Sequence, residues 1–178
     1  TIVSRRLNIS ELPVVVSFGA IKGGIRYNII PDEVELIGTI RTFDEGMRQK
    51  VFAELKSIAA NVAEAHGATV VSEVPDTLGN PATVNNPELT ARSIPGLVKA
   101  AGAENVVPMS LVMGAEDFSY YANQVPGFFF FVGSTPKGID ASTAPSNHSP
   151  QFFLDESALP LGTRALLQVS MDYLSGAR

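Results

Sequence analysis

From Pro13 to Ala20, Val14, Val16 and Phe18 alternate with Val15 and Ser17, the two-residue period of a strand with apolar leanings on both faces. Gly23-Gly24 ends that pattern. A second strand is predicted over 33–42, with Val34, Leu36 and Ile40 on one side. Asn28 and Pro31-Asp32 lie in the connection, where turn residues belong. The period then changes. Met47, Val51, Leu55, Ile58 and Val62 recur at helical spacing, Asp44 is placed to cap that helix, and Gly67 to stop it. Residues 68–74 return to a strand pattern. The order β-β-α-β, after a helix end around 2–7, predicts a βαββαβ ferredoxin-like unit lacking its first strand.

The stretch 75–87 is rich in Pro, Asn, Gly and Thr and reads as a linker. The predicted organisation is a domain over 1–75, a linker over 76–86 and a second domain over 87–178. Asn86-Pro87 makes a helix start, a capping amide followed by Pro at the first helical position. Pro95-Gly96 is expected to kink or split that helix. The apolar runs 106–112 and 128–132 predict strands of a sheet covered on both faces, with a short helix over 116–123 between them. A long Ser/Thr/Pro/Gly loop follows over 134–150, and a helix over 155–175 carries Leu159, Leu166, Val169 and Leu174 among its apolar positions. No internal repeat occurs at a solenoid period.

Composition narrows the classes. With 178 residues, 45% hydrophobic and 17% charged, the chain suits a globular protein. Its formal charge of −5 and the absence of a Lys/Arg stripe argue against a nucleic-acid partner. The longest apolar run, Phe128 to Val132, is too short to span a bilayer, so no membrane partner is expected. No signal peptide opens the sequence, and a Thr in place of Met at position 1 is expected either where residues precede it or where the chain has been processed. The absence of Cys excludes disulfides and thiolate metal sites and leaves the redox compartment open; a cytoplasmic protein is the expectation. With only two His, a metal site must lean on carboxylates or on residues outside the chain.

Three stretches carry a resemblance when read together. They are Gly23-Gly24-Ile25-Arg26-Tyr27-Asn28-Ile29-Ile30-Pro31-Asp32 with Gly38-Thr39-Ile40-Arg41, then Met113-Gly114-Ala115-Glu116-Asp117-Phe118-Ser119-Tyr120-Tyr121, then Asn147-His148-Ser149-Pro150 running to Glu156. In order and spacing the sequence resembles the back half of the dimeric metallo-amidohydrolases. That family includes aminoacylases, carboxypeptidase G, succinyl-diaminopimelate desuccinylase and the hippurate and auxin-conjugate hydrolases. The Glu-Asp-Phe-Ser and His-Ser-Pro versions are most similar to the last branch.

The resemblance implies an α/β enzyme in which a ferredoxin-like α+β lid, the dimerisation domain, interrupts an α/β metallopeptidase catalytic domain. Residues 1–75 correspond to most of the lid and residues 87–178 to the C-terminal part of the catalytic domain. It further implies two divalent ions (zinc, or manganese or cobalt), a small N-acyl amino acid substrate, a homodimer formed through the lid, and a glutamate general base upstream of this chain. The chain alone is then expected to be inactive. The alternative is a noncatalytic dimerisation or interaction module.

Each residue has a plainer reading beside the functional one. A lone loop imidazole is usually no ligand, but the Asn-His-Ser-Pro context implies that His148 binds one of the metal ions. Arg41 and Asn28 are by composition a strand Arg and a turn Asn; the resemblance assigns them to the substrate carboxylate, whose two oxygens match a guanidinium fork. Gly114, with Ala115, is read as backbone that closely approaches substrate. Glu116 and Asp117 are adjacent acids at a helix start, where capping is the ordinary role, and His66 at a helix end suits the macrodipole. Tyr120 and Tyr121 either border the pocket or pack.

Overall fold

The computed structural model describes residues 2–10, 12–74 and 79–176, in a mixed α/β architecture. Residues 76–78 of the expected linker lie outside the described residues. The chain forms two compact units, residues 1–83 with 112–120, and residues 84–111 with 121–178. Segment 112–120, placed by sequence in the second domain, thus clusters with the first.

In the first unit a short helix α1 (Ile2–Arg5) leads into an antiparallel hairpin, β1 (Val14–Gly23) and β2 (Val34–Thr42). Val14 stands opposite Thr42 and Phe18 opposite Gly38, but Ala20 stands opposite Ile37, so Gly19 is an extra residue that bulges β1. Gly38 lies at the tightest point: a Cβ there would come 2.4 Å from the Ser17 carbonyl oxygen. Helix α2 (Glu45–Ala65) packs on the near half of the hairpin. Met47 and Val51 join Ile2, Leu7 and Val14 in the core, with Val16, Ile40, Leu55 and Ile58 against them. Val51 is 0% exposed, a burial worth about 1.5–3 kcal/mol. Val62, expected on the same stripe, is exposed, because the core does not extend under the helix's last turns.

Both ends of α2 follow from sequence chemistry. Asp44 accepts the Met47 N–H at 2.6 Å, satisfying one orphan donor of the first turn. At the other end Gly67 adopts φ +67, and the N–H groups of Gly67 and Ala68 donate to the carbonyls of Glu64 and Ala63. That pair of bonds is a Schellman stop.

The strand expected at 68–74 is not formed, so the ferredoxin-like order is not completed among the described residues. Val71 in this stretch is 87% exposed and joins no ladder among the described residues.

The second unit is built on α3 (Pro87–Ala101) and α5 (Ala158–Leu174). Asn86 caps α3 by accepting the Leu89 N–H at 2.9 Å. Of the two outcomes expected at Pro95, a kink or a split, the split does not occur: the helix is continuous through it. The next residue, Gly96, lets α5 approach: a Cβ there would lie 3.4 Å from Val169 Cα and 3.1 Å from Asp172 Oδ2. Across the same seam the Arg92 guanidinium lies 4.5 Å from the Tyr173 ring centre and Lys99 pairs with Asp172 at 3.0 Å. The expected strands at 106–112 and 128–132 form no ladder among the described residues. Phe129 instead receives a side-chain substitute for a strand partner: Asn85 Nδ2 donates to its carbonyl at 2.8 Å, and Asn85 Oδ1 accepts its N–H at 2.7 Å. A short helix, α4 (Phe118–Ala122), occupies the position expected for one. No helix among the described residues is long and apolar enough to cross a membrane.

Candidate functional site

Strand alternation aims Arg41. Its neighbour Ile40 packs into the core beside α2, so Arg41 projects from the opposite face, level with the exposed Val15. From there Nη1 donates to the Met113 carbonyl at 2.7 Å. A side chain from the Gly-Thr-Ile-Arg stretch thereby touches the Met-Gly-Ala-Glu-Asp stretch 72 residues away. Arg41 and the backbone beside Gly114 are brought together.

Gly114 itself meets no steric limit from the described residues. A Cβ added there meets no atom within 4 Å, and its φ is not in the left-handed region. Immediately downstream, Glu116 Oε1 accepts the Phe118 N–H at 3.2 Å, and the Glu116 carbonyl accepts the Ser119 hydroxyl at 2.7 Å. Glu116 therefore opens α4 as a capping residue. Ser119 is fully buried beneath that turn. Tyr120 donates its hydroxyl to the Gly79 carbonyl at 3.2 Å, a carbonyl that also accepts from Arg48 Nη1 at 3.3 Å. Sequence reasoning missed Gly79 and Arg48, since a Gly in a Pro/Asn-rich stretch and an Arg on a helix carry no pattern of their own.

Asn28 lies in the exposed connection 24–33, with Tyr27 at 103% exposure beside it; a turn there is closed by the Ile29 N–H on the Arg26 carbonyl at 3.3 Å. His148 belongs to the second unit. It stands exposed on a turn closed by the Ser149 N–H on the Ser146 carbonyl at 2.9 Å. No group of three or more His, Cys, Asp or Glu able to hold a metal ion occurs among the described residues. A single imidazole fits one corner of a metal site, so these residues do not by themselves fit a metal pair. His66 closes α2 as its C-cap, the plainer of its two readings.

A shallow groove of about 460 Å³ runs along α5 between Pro160, Thr163, Arg164 and Met171. It contains none of the predicted site residues. Two carboxylates are held ionised to lower pH than usual. The Ser142 hydroxyl, then its N–H, lowers the pKa of Asp140, and the Ser157 hydroxyl, then its N–H, lowers that of Asp155. Asp140 is exposed and Asp155 half-buried, and both serve as turn acceptors.

Comparison with known proteins shows the family. The model of peptidase family M20/M25/M40 matches residues 12–172. Thermostable carboxypeptidase 2 of Saccharolobus solfataricus is 37% identical over 153 residues, covering 86% of this chain and 37% of the relative. IAA-amino acid hydrolase ILR1-like 4 of Arabidopsis thaliana is 32% identical over 164 residues, covering 90% and 36%. Among solved structures, Bacillus subtilis YxeP, described as a dinuclear metal binding peptidase of the M20 family, superposes with a TM-score of 0.71 at 29% identity. That match covers 94% of this chain and 44% of YxeP. The chain thus spans less than half the length of the proteins it matches.

Proposed function

The chain belongs to peptidase family M20/M25/M40, and from that premise we propose that the whole protein is a metal-dependent amidohydrolase of N-acyl amino acids. It cleaves the amide bond of hippurate-like or related conjugates to release an amino acid and a carboxylic acid. Residues 1–75 serve as the lid, through which two subunits pair, and residues 87–178 as the C-terminal part of the catalytic domain.

The observation that carries this reading is the Arg41–Met113 contact at 2.7 Å, which sets a cation beside the open backbone of Gly114. A guanidinium has five N–H donors in a planar fork, and one is engaged here, so the others remain for a substrate carboxylate. Asn28 adds an amide donor to the same carboxylate. His148 contributes one imidazole to a dinuclear centre of zinc, manganese or cobalt whose remaining ligands lie outside the described residues. The water-activating base is likewise assigned outside this chain.

The test is substrate discrimination in the longer protein. Losing one partner of a buried charge pair costs about 2–5 kcal/mol. Arg41→Ala is therefore expected to lower kcat/KM for N-acyl amino acids at least about tenfold more than for the matching amides, which lack the carboxylate. Arg41→Lys should restore only part of that selectivity, because an ammonium is a point charge. Equal losses on acids and amides would remove Arg41 from carboxylate recognition.

A further inference from the structure

We propose that Arg41 is also the positioning residue for the Met113–Ala115 backbone, so that one side chain sets both the carboxylate contact and the peptide surface beside it. The inference deepens the proposed function and rests on it for its meaning, while the tether itself exists without substrate.

Residues 112–115 lie in no helix or strand. Among the described residues they make one hydrogen bond, the one that Met113 accepts from Arg41. Met113 is half-buried, and the segment's remaining polar anchors act further along. Glu116 caps α4, and Tyr120 binds the Gly79 carbonyl. Without Arg41 the backbone of 112–115 would lose its one hydrogen bond among the described residues and gain freedom between its two ends. Charge assistance and a 2.7 Å separation make the Arg41 bond one of the stronger kind.

Gly114 explains why such a tether matters. Its hydrogen in place of a side chain relieves no clash with the described residues and enables no left-handed backbone. Open space over a glycine is useful to a ligand only where the backbone beneath it is fixed, because a mobile peptide group must be ordered at the cost of binding free energy. Arg41 does the fixing from a strand whose next residue, Ile40, is anchored in the core. The guanidinium is oriented by the same bond, so the donors left for a carboxylate are held in place before substrate arrives.

The experiment uses this chain without substrate, and reads backbone order by NMR relaxation. In the wild type, Gly114 and Ala115 should have order parameters near the rigid value of about 0.85. In Arg41→Met, which keeps the apolar stem, they should fall below about 0.6 while β1, β2 and α2 are unchanged. Arg41→Lys, whose ammonium can still reach a carbonyl, should restore most of the order. Unchanged order at 113–115 in Arg41→Met overturns the inference. So does free rotation of the Arg41 guanidinium in the wild type, a measurement that needs no variant to fold. The carboxylate reading stands or falls separately. Order lost in Arg41→Met with equal effects on acid and amide substrates would leave the tether intact and end the carboxylate role. Order retained with acid selectivity lost would do the reverse.

Discussion

Gly38 and Gly114 look alike in the sequence, each in a stretch that carries the family resemblance, and the structure separates them. At Gly38 a methyl group would sit 2.4 Å from the Ser17 carbonyl oxygen, a backbone atom that cannot move without opening the hairpin. Gly38→Ala is expected to destabilise the chain by about 1–3 kcal/mol in urea unfolding, the usual range for overpacking. At Gly114 nothing lies within 4 Å, so Gly114→Ala should leave stability within about 0.5 kcal/mol of the wild type. In the longer protein the same change should raise KM for substrate, since the methyl fills space kept for a ligand. A stability loss at Gly114 comparable to that at Gly38 would show that its small size serves the fold. Sequence alone singles out Gly114, Arg41, Asn28 and His148, because each sits in a motif. It does not show that Arg41 reaches the Met113 carbonyl, since that bond joins residues 72 apart.

Elements were legible where local chemistry is complete. Helix α2 has a capping aspartate, an apolar stripe at helical spacing and a glycine stop, and all three act as the sequence predicts except that the stripe stops short of Val62. The hairpin was legible from alternation and Gly23-Gly24, though the Gly19 bulge was not, because a bulge is fixed by the partner strand's register. The strands expected at 68–74, 106–112 and 128–132 fail for a common reason. Apolar runs report what a side chain needs, whereas a strand needs another backbone to pair with, and at Phe129 the Asn85 side chain takes up the N–H and carbonyl that a ladder would use. The lead-in to α5 gives a pH prediction at this scale. The Ser157 hydroxyl, then the Ser157 N–H, holds the Asp155 pKa below the ordinary aspartate value, with Lys137 adding a smaller pull. A carboxyl lowered in the folded state stabilises it above the unfolded pKa and loses that contribution as pH falls through the folded one. The Asp155 carboxyl carbon should thus titrate below the usual aspartate range, and Ser157→Ala should move its midpoint upward. An unmoved midpoint would remove the hydroxyl as the main cause.

For the whole molecule, the exposed apolar surface is the dominant fact. Beyond the reach of α2, the hairpin shows Phe18, Ile21, Val34 and Leu36 to solvent, and each strand of the two-stranded sheet has an unpaired outer edge. Such edges invite pairing with another copy, and the proposed lid pairing uses them. Light scattering at high micromolar concentration should give twice the 18.9 kDa chain mass; a monomer at that concentration counts against a lid dimer. Metal binding tests the enzyme reading against that of a noncatalytic module. Tight zinc sites take about four ligands at close range. The described residues hold no group of three or more His, Cys, Asp or Glu able to bind a metal ion, so this chain should lose zinc on dialysis and should not hydrolyse hippurate above background. The longer protein should retain about two ions per subunit, and His148→Ala should weaken that retention by about 10–100-fold or more, since altering even an outer-shell partner of a ligand costs that much. Retention unaffected by His148→Ala would take this residue out of the metal site. Stoichiometric, dialysis-resistant zinc on the 178-residue chain would mean that it assembles a complete site of its own.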